Sequence, residues 1–325
     1  MVRSPAQGEA VLSHSAAFRL KQVLAFAAVY VIWGSTFLAI RIAIETLPGF
    51  TMAAVRFLAV ATLLLVWARL RGESAPSLRQ WGAAALVGGL LFAGGNGAVV
   101  WAEQHVASGL VALLVATEPL WVVIVLALTS RTERPRPLAV VGMLFGFSGA
   151  ALLAAPGVEG TIQHLPSVIV VVLGSLAWAC GSLAARSGNL PRSILLSSGM
   201  QMLAGGLILT VMGALAGEWG QVSLAEVSAR SLAALAYLIF VGALIGFLAY
   251  NFLVRTTAPT LVATYAFVNP MVAVFLGWWL ADEQVSSATL VAALLIIVSV
   301  VLVTWGSVDR SRPKVVEEEP VRSAA

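Results

Sequence analysis

Charge is scarce in this chain: 10% of its 325 residues are Asp, Glu, Lys or Arg, whereas 60% are hydrophobic. A soluble domain carries about a quarter charged residues, so an ordinary water-facing surface is excluded. Cysteine occurs once, at Cys180, which rules out an internal disulfide and reads as a small mid-helix residue. The three histidines, His14, His105 and His164, fall in terminal or connecting segments and offer no three-ligand metal set. Both lysines, Lys21 and Lys314, lie outside the apolar runs, which excludes a retinal Schiff base. No serine, histidine and acid gather at membrane depth, so intramembrane hydrolysis has no support. The glycine cluster Gly88, Gly89, Gly94, Gly95 and Gly97 lacks the lysine and spacing of a phosphate-binding loop. No enzyme and no cofactor is implied, and the glycines instead predict a bend in the third helix.

Long apolar runs are what the chain does have. A hydrocarbon core about 30 Å thick needs roughly 20 apolar residues per helix, and ten such runs fit between about 22 and 306. The sequence predicts an all-α polytopic membrane protein with ten transmembrane helices. Basic residues retained on the cytoplasmic side orient it. With the N-terminus inside, sixteen Lys and Arg fall in cytoplasmic segments and only Arg41 and Arg230 fall opposite. Both termini are therefore expected in the cytoplasm. The net charge of +4 follows from this topology and gives no reason to expect a nucleic-acid partner.

Two segments read as copies of one another: ASGLVALLVATEP at 107–119 and APTLVATYAFVNP at 258–270, offset by 151 positions. Leu110, Val111, Ala112 and Pro119 meet Leu261, Val262, Ala263 and Pro270. The same offset sets Gly95 on Gly246 and Trp101 on Phe252, whereas an offset of 145 sets Trp33 on Trp178, Arg41 on Arg186 and Arg56 on Gln201. Five helices per copy is an odd number, so the second copy enters the membrane from the other face. The expected architecture is two inverted five-helix repeats, 22–157 and 158–306. A cytoplasmic segment, 1–21, precedes them, and a disordered cytoplasmic tail, 307–325, follows. Such repeats enclose a midplane site that opens to alternate sides.

Candidate site residues follow from polarity at depth. Arg56 and Glu118 are the two charges expected inside the spans, where each costs roughly 2.5–3.5 kcal/mol and calls for an interior position and a partner. They are read as lining the cavity, Arg56 toward a substrate carboxylate or toward Glu118 itself, and Glu118 as a residue that exchanges a proton. An alternative is a structural ion pair between them. Pro119 and Pro270 each remove a helix hydrogen bond and are expected to act as hinges, a static kink being the alternative. Trp33, Trp101, Trp178, Tyr250 and Tyr265, with Asn96, Gln201 and Asn269, complete the expected substrate-binding set. For Trp101, near a span end, interfacial anchoring is the default. Aromatic and amide walls suit an organic solute with an apolar body. The small-residue pairs Gly142 with Gly146 and Gly242 with Gly246 read as helix contacts.

VIWGSTFLAIRIAI, AAVRF, GGNGAVVWAEQHVASGLVALLVATEPLWVVIV and LVATYAFVNPMVAVFLGWWLADE together resemble the drug/metabolite transporter superfamily, specifically its EamA-type permeases of bacterial inner membranes. The resemblance runs from about Val23 to Trp305. It implies ten helices in two inverted repeats, cytoplasmic termini, a central cavity, and export of amino acids, other metabolites or drugs without ATP. Relatives often carry a glycine-glutamate pair after the proline helix of each half. Here those positions read Asp282 and Glu283, and Thr132 and Glu133, without the glycine. The expectation is thus an inner-membrane secondary exporter of small organic metabolites, such as amino acids or amphiphilic drugs, working by alternating access. A proton is a candidate coupling partner. An importer of the same solutes, a channel, and a non-transporting receptor or scaffold are the alternatives.

Overall fold

The computed structural model describes residues 5–129, 137–155, 162–187, 189–221, 223, 225–257 and 265–307. Their regular elements are helices: α1 (Pro5–Ala43), α2 (Gly49–Leu70), α3 (Leu78–Glu103), α4 (Ser108–Thr129), α5 (Pro137–Leu153), α6 (Leu165–Ser187), α7 (Ile194–Leu215), α8 (229–256), α9 (Tyr265–Ala281) and α10 (Ser287–Ser307). Among the described residues, eight helices are long and apolar enough to cross a membrane, while Pro137–Leu153 and Val268–Ala281 are shorter apolar helices. The chain is an all-α polytopic membrane protein. Residues 258–264, which hold most of the matched part of the second repeat segment, lie outside the described residues, as do Glu133 and the tail from 308.

Local sequence sets where helices begin. Ser77 caps α3 in a reciprocal box with Gln80, and Ser193 and Ser228 cap α7 and α8 by accepting main-chain N–H groups of Leu196 and Ser231. Each hydroxyl satisfies a donor that the first helical turn leaves open. Glycine-rich faces then let helices approach. A Cβ on Gly142 would come within 2.9 Å of Leu302 on α10, so the expected packing role holds there.

Helix contacts repeat when the halves are exchanged. α1 packs on α9 as α6 packs on α4, α3 packs on α6 and α7 as α8 packs on α1 and α2, and the pairs α2–α7 and α5–α10 map onto themselves. Both α3 and α8 widen into a π-helical stretch, Gly89–Asn96 and Leu238–Ile245. The bend expected at the glycine cluster of α3 takes this form. In α8 no comparable glycine cluster announces it.

Two ends of the bundle can be told apart by contacts. At the end where α1 finishes, here the distal end, Arg41 meets Glu103 at the finish of α3, and residues just after α7 and α9 meet the starts of α2 and α4. At the proximal end, Gln22 donates to the Thr256 carbonyl at 3.0 Å and Glu73 accepts from Ser193 at 2.6 Å.

Candidate functional site

Helix α4 is interrupted where the sequence places its proline. Helical geometry stops at Val115, turns through Ala116 and Thr117, and resumes at Glu118. Pro119 thereby sits in the first turn of the resumed helix, where its missing N–H leaves nothing unsatisfied. Pro270 sits differently, inside α9, so its ring opposes a turn that is already formed. The Asn269 amide nitrogen, oriented by its surroundings, donates to the main-chain carbonyls of Tyr30 and Tyr265 at 3.3 Å each and straps α9 to α1.

Glu118 starts ten residues into α4, about 15 Å from its distal end at 1.5 Å per residue, which is mid-depth in a core about 30 Å thick. Three aromatic side chains from three other helices gather near it. Trp33 lies 5.0 Å from Tyr250 and 5.4 Å from Tyr265, the latter edge to face, and the two tyrosines are 5.9 Å apart. Glu118 acts electrostatically on both tyrosines, and Arg186 of α6 acts on all three groups. Glu118, Trp33, Tyr250 and Tyr265 are each only half-buried although four helices contribute them. No hydrogen bond or ion pair to Glu118 is formed among the described residues.

Arg56 belongs to another neighbourhood. It is 7% exposed, stands 4.9 Å over the Phe57 ring, and lies within electrostatic reach of Glu103. The anticipated Arg56–Glu118 ion pair is not formed: seven residues from the start of α2, Arg56 sits nearer the distal end than Glu118 does. Glu103 is fully buried and neither carboxylate oxygen has a hydrogen-bond partner, while its main-chain carbonyl accepts from Arg41. Around this group, two other carboxylates hold helix starts. Glu283 accepts from the Ser108 N–H (2.7 Å), the Ser108 hydroxyl (2.7 Å) and the Gly109 N–H (3.0 Å). Glu218 accepts from the N–H groups of Phe50 (3.0 Å) and Thr51 (2.7 Å) and from the Thr51 hydroxyl (2.9 Å). Each is an anion at a helix N-terminus, where open N–H groups and the macrodipole favour it.

The remaining predicted residues divide between these regions. Trp33 packs against Gly246, where a Cβ would stand 2.6 Å from the indole nitrogen, and Trp178 packs against Gly95, where a Cβ would stand 2.7 Å from the ring. Both pairs are images of one another under the offsets read from sequence, so each tryptophan occupies a glycine notch in the opposite half's partner helix. Trp178 also meets Phe92 edge to face at 6.5 Å. Gln201 is buried and donates to the Ser197 hydroxyl at 2.8 Å. Asn96 donates to the Leu91 carbonyl inside the π-helical stretch at 3.4 Å. Trp101 lies tilted against His105 and His164 near the distal end, at 4.9 and 5.8 Å.

Sequence reasoning missed Glu103, Glu218 and Glu283 as partners of the other elements, because a carboxylate at a span end reads as a solvated loop residue. One signal was available. Gly72 precedes Glu73, and 145 positions on Gly217 precedes Glu218, both glycines with φ of +74°. At Asp282 the backbone takes the same left-handed form with φ of +52°, so aspartate fills the turn that a glycine would fill before Glu283.

Two stretches of the chain, 20–155 and 165–305, each match the model of the EamA-like transporter family. The chain belongs to the EamA-like transporter family. Its duplication is explicit in those two matches. Among curated relatives, this EamA-like chain is 40% identical to the inner membrane transporter YedA of Escherichia coli (strain K12), over 89% of its own length and 93% of that protein's. It is 24% identical to Protein PagO of Salmonella typhimurium, over 85% of this chain and 90% of PagO. A solved crystal structure of a protein superposes with a TM-score of 0.58 at 20% identity, covering 88% of this chain and 98% of that one, which supports the EamA-like chain's fold.

Proposed function

We propose that this EamA-like transporter is a multi-pass protein of the inner membrane, with both termini cytoplasmic. It has ten crossings in two inverted repeats, and it exports small organic solutes by alternating access. Inversion is supported by the exchange-symmetric helix contacts and by the odd helix number per copy. The inner-membrane placement is supported by the likeness to YedA and the bias of basic residues to one side. Under that orientation the distal end is the periplasmic one, closed here over Arg56 and Glu103.

One observation carries the reading of the solute. At mid-depth, a carboxylate without a hydrogen-bond partner among the described residues stands beside three half-buried aromatic rings contributed by separate helices. A carboxylate with aromatic faces favours an organic ammonium through charge and cation–π attraction, the rings accepting an apolar body. The solute class is therefore an amino acid or an amphiphilic amine, with Glu118, Trp33, Tyr250 and Tyr265 as its contacts. Arg56, Gln201, Asn96, Trp101 and Trp178 serve the closure and shape of the cavity, Asn269 braces it, and Pro119 and Pro270 mark the hinges.

Saturable counterflow in proteoliposomes tests this. Amino acids and cationic amphiphiles should exchange in wild type, and dependence of net flux on an imposed pH gradient would add a proton as partner. Equal exchange by Glu118→Gln would remove Glu118 from the solute site, and unsaturable flux would replace the carrier with a channel.

A further inference from the structure

Among the described residues, Glu103 is the one buried carboxylate of the distal end that makes no hydrogen bond. It is fully buried, and both of its oxygens lack a hydrogen-bond partner. Water is nevertheless close, because Gln104 and His105, the next two residues, are exposed. Charged groups reach it from three directions: Arg41 on α1, Arg56 on α2, and Glu283 after α9. Neither arginine pairs with its carboxylate. Arg41 donates to the Glu103 main-chain carbonyl instead, and Arg56 leaves its own Nε without a partner. Glu283 is engaged by three hydrogen bonds from Ser108 and Gly109, and its charge opposes a second charge at Glu103.

A carboxylate taken out of water without a hydrogen bond is far costlier as an anion than as an acid. Two nearby cations lower that cost but, without direct contact, do not replace the lost hydration. We propose that Glu103 is a proton-binding site of the distal gate: it is an anion while the gate is open to water, and it takes one proton from the periplasmic side when the gate closes to the packing seen here. This rests on the alternating-access reading. The balance is one proton moved from external water to a Glu103 carboxylate oxygen, and the same proton returned on opening. Acid outside therefore favours the closed gate and alkali the open one. The site sets the pH at which the gate works; it does not by itself carry a proton across.

The test uses the full chain in proteoliposomes with Cys180 replaced by serine and Val106, buried three residues beyond Glu103, replaced by cysteine. A membrane-impermeant maleimide reads opening, normalised at each pH to the same protein denatured. Labelling should fall by about tenfold or more as external pH drops from about 8 to about 5, because protons favour the closed state, which binds one more of them. In Glu103→Gln, which resembles the protonated acid, labelling should be low at every pH; in Glu103→Asp the dependence should persist. Infrared difference spectra should show a protonated carboxyl band that Glu103→Gln lacks, which keeps the proposal testable if the cysteine variant folds poorly. An unchanged pH profile in Glu103→Gln, or pH-independent labelling in the parent, overturns the proton site and leaves the carrier reading to its counterflow test. Labelling that titrates through Glu103 while no solute exchanges supports the proton site, and the carrier reading is what fails.

Discussion

Glu283 and Glu118 are both acids on or beside the proline helices, yet their surroundings are opposite. Three donors of α4 saturate Glu283 at the distal end, and three donors of α2 saturate Glu218 at the same end, so those charges fasten helices together. At mid-depth Glu118 is half-buried, faces aromatic rings, and is bonded to none of the described residues. At the distal end, charge beside a helix start fastens helices together, whereas the mid-depth charge is bonded to no described residue, as the proposed solute contact requires.

That contrast can be broken most sharply at Glu118. Exchange of a cationic amphiphile by Glu118→Gln should fall by about 10- to 100-fold, the worth of one or two lost charge-assisted contacts, while the protein melts where wild type does. Counterflow and thermal unfolding in detergent, measured on one preparation, check both halves of the statement. Pro270→Ala should stabilise α9 by about 1–3 kcal/mol because a helix-interior proline is removed, and should slow turnover if the strain serves as a hinge. Pro119→Ala, at a first-turn position, should shift stability by no more than about 1 kcal/mol, so equal shifts in the two variants would erase the distinction drawn between α4 and α9. Glu283→Gln and Glu218→Gln should each cost about 1–2 kcal/mol in denaturant unfolding, the value of a helix cap, and should add when combined. In Gly246→Ala the new methyl must push the Trp33 indole aside, an overpacking cost of about 1–3 kcal/mol that alanine's better helix propensity offsets by about 1 kcal/mol; a raised KM is the expected signature, and an unchanged KM would detach Trp33 from the solute site.

Much of the fold was legible because membrane burial writes itself as long apolar runs and because duplication leaves matched residues. Trp33 with Trp178 and Gly95 with Gly246 were paired by offset alone, and they turn out to be two copies of one tryptophan-in-notch contact. Glu118 stood out for the same reason, as a charge where charge is costly. The alternative of an ion pair with Arg56 did not follow, since Arg56 lies seven residues into α2 and Glu118 ten into α4, and it is Glu103 that comes within electrostatic reach of Arg56. The fastening carboxylates were hidden for a different reason. Their partners are main-chain N–H groups of Phe50, Thr51, Ser108 and Gly109, and a backbone donor has no letter in the sequence. The π-helical stretch of α8 was silent too, for it is built from LIFVGALI, an apolar run that fits an ordinary helix equally well.

Helices α2 and α7 are stitched at both extremities, by Glu218 on Phe50 and Thr51 and by Glu73 on Ser193. Two rods tied top and bottom behave as a single axle. Under the proposed alternating access, rotation of one half against the other would fall to the less tightly tied helices, α4 with its break at Ala116 and Thr117 among them, and a crosslink that freezes α2 to α7 should leave solute exchange intact.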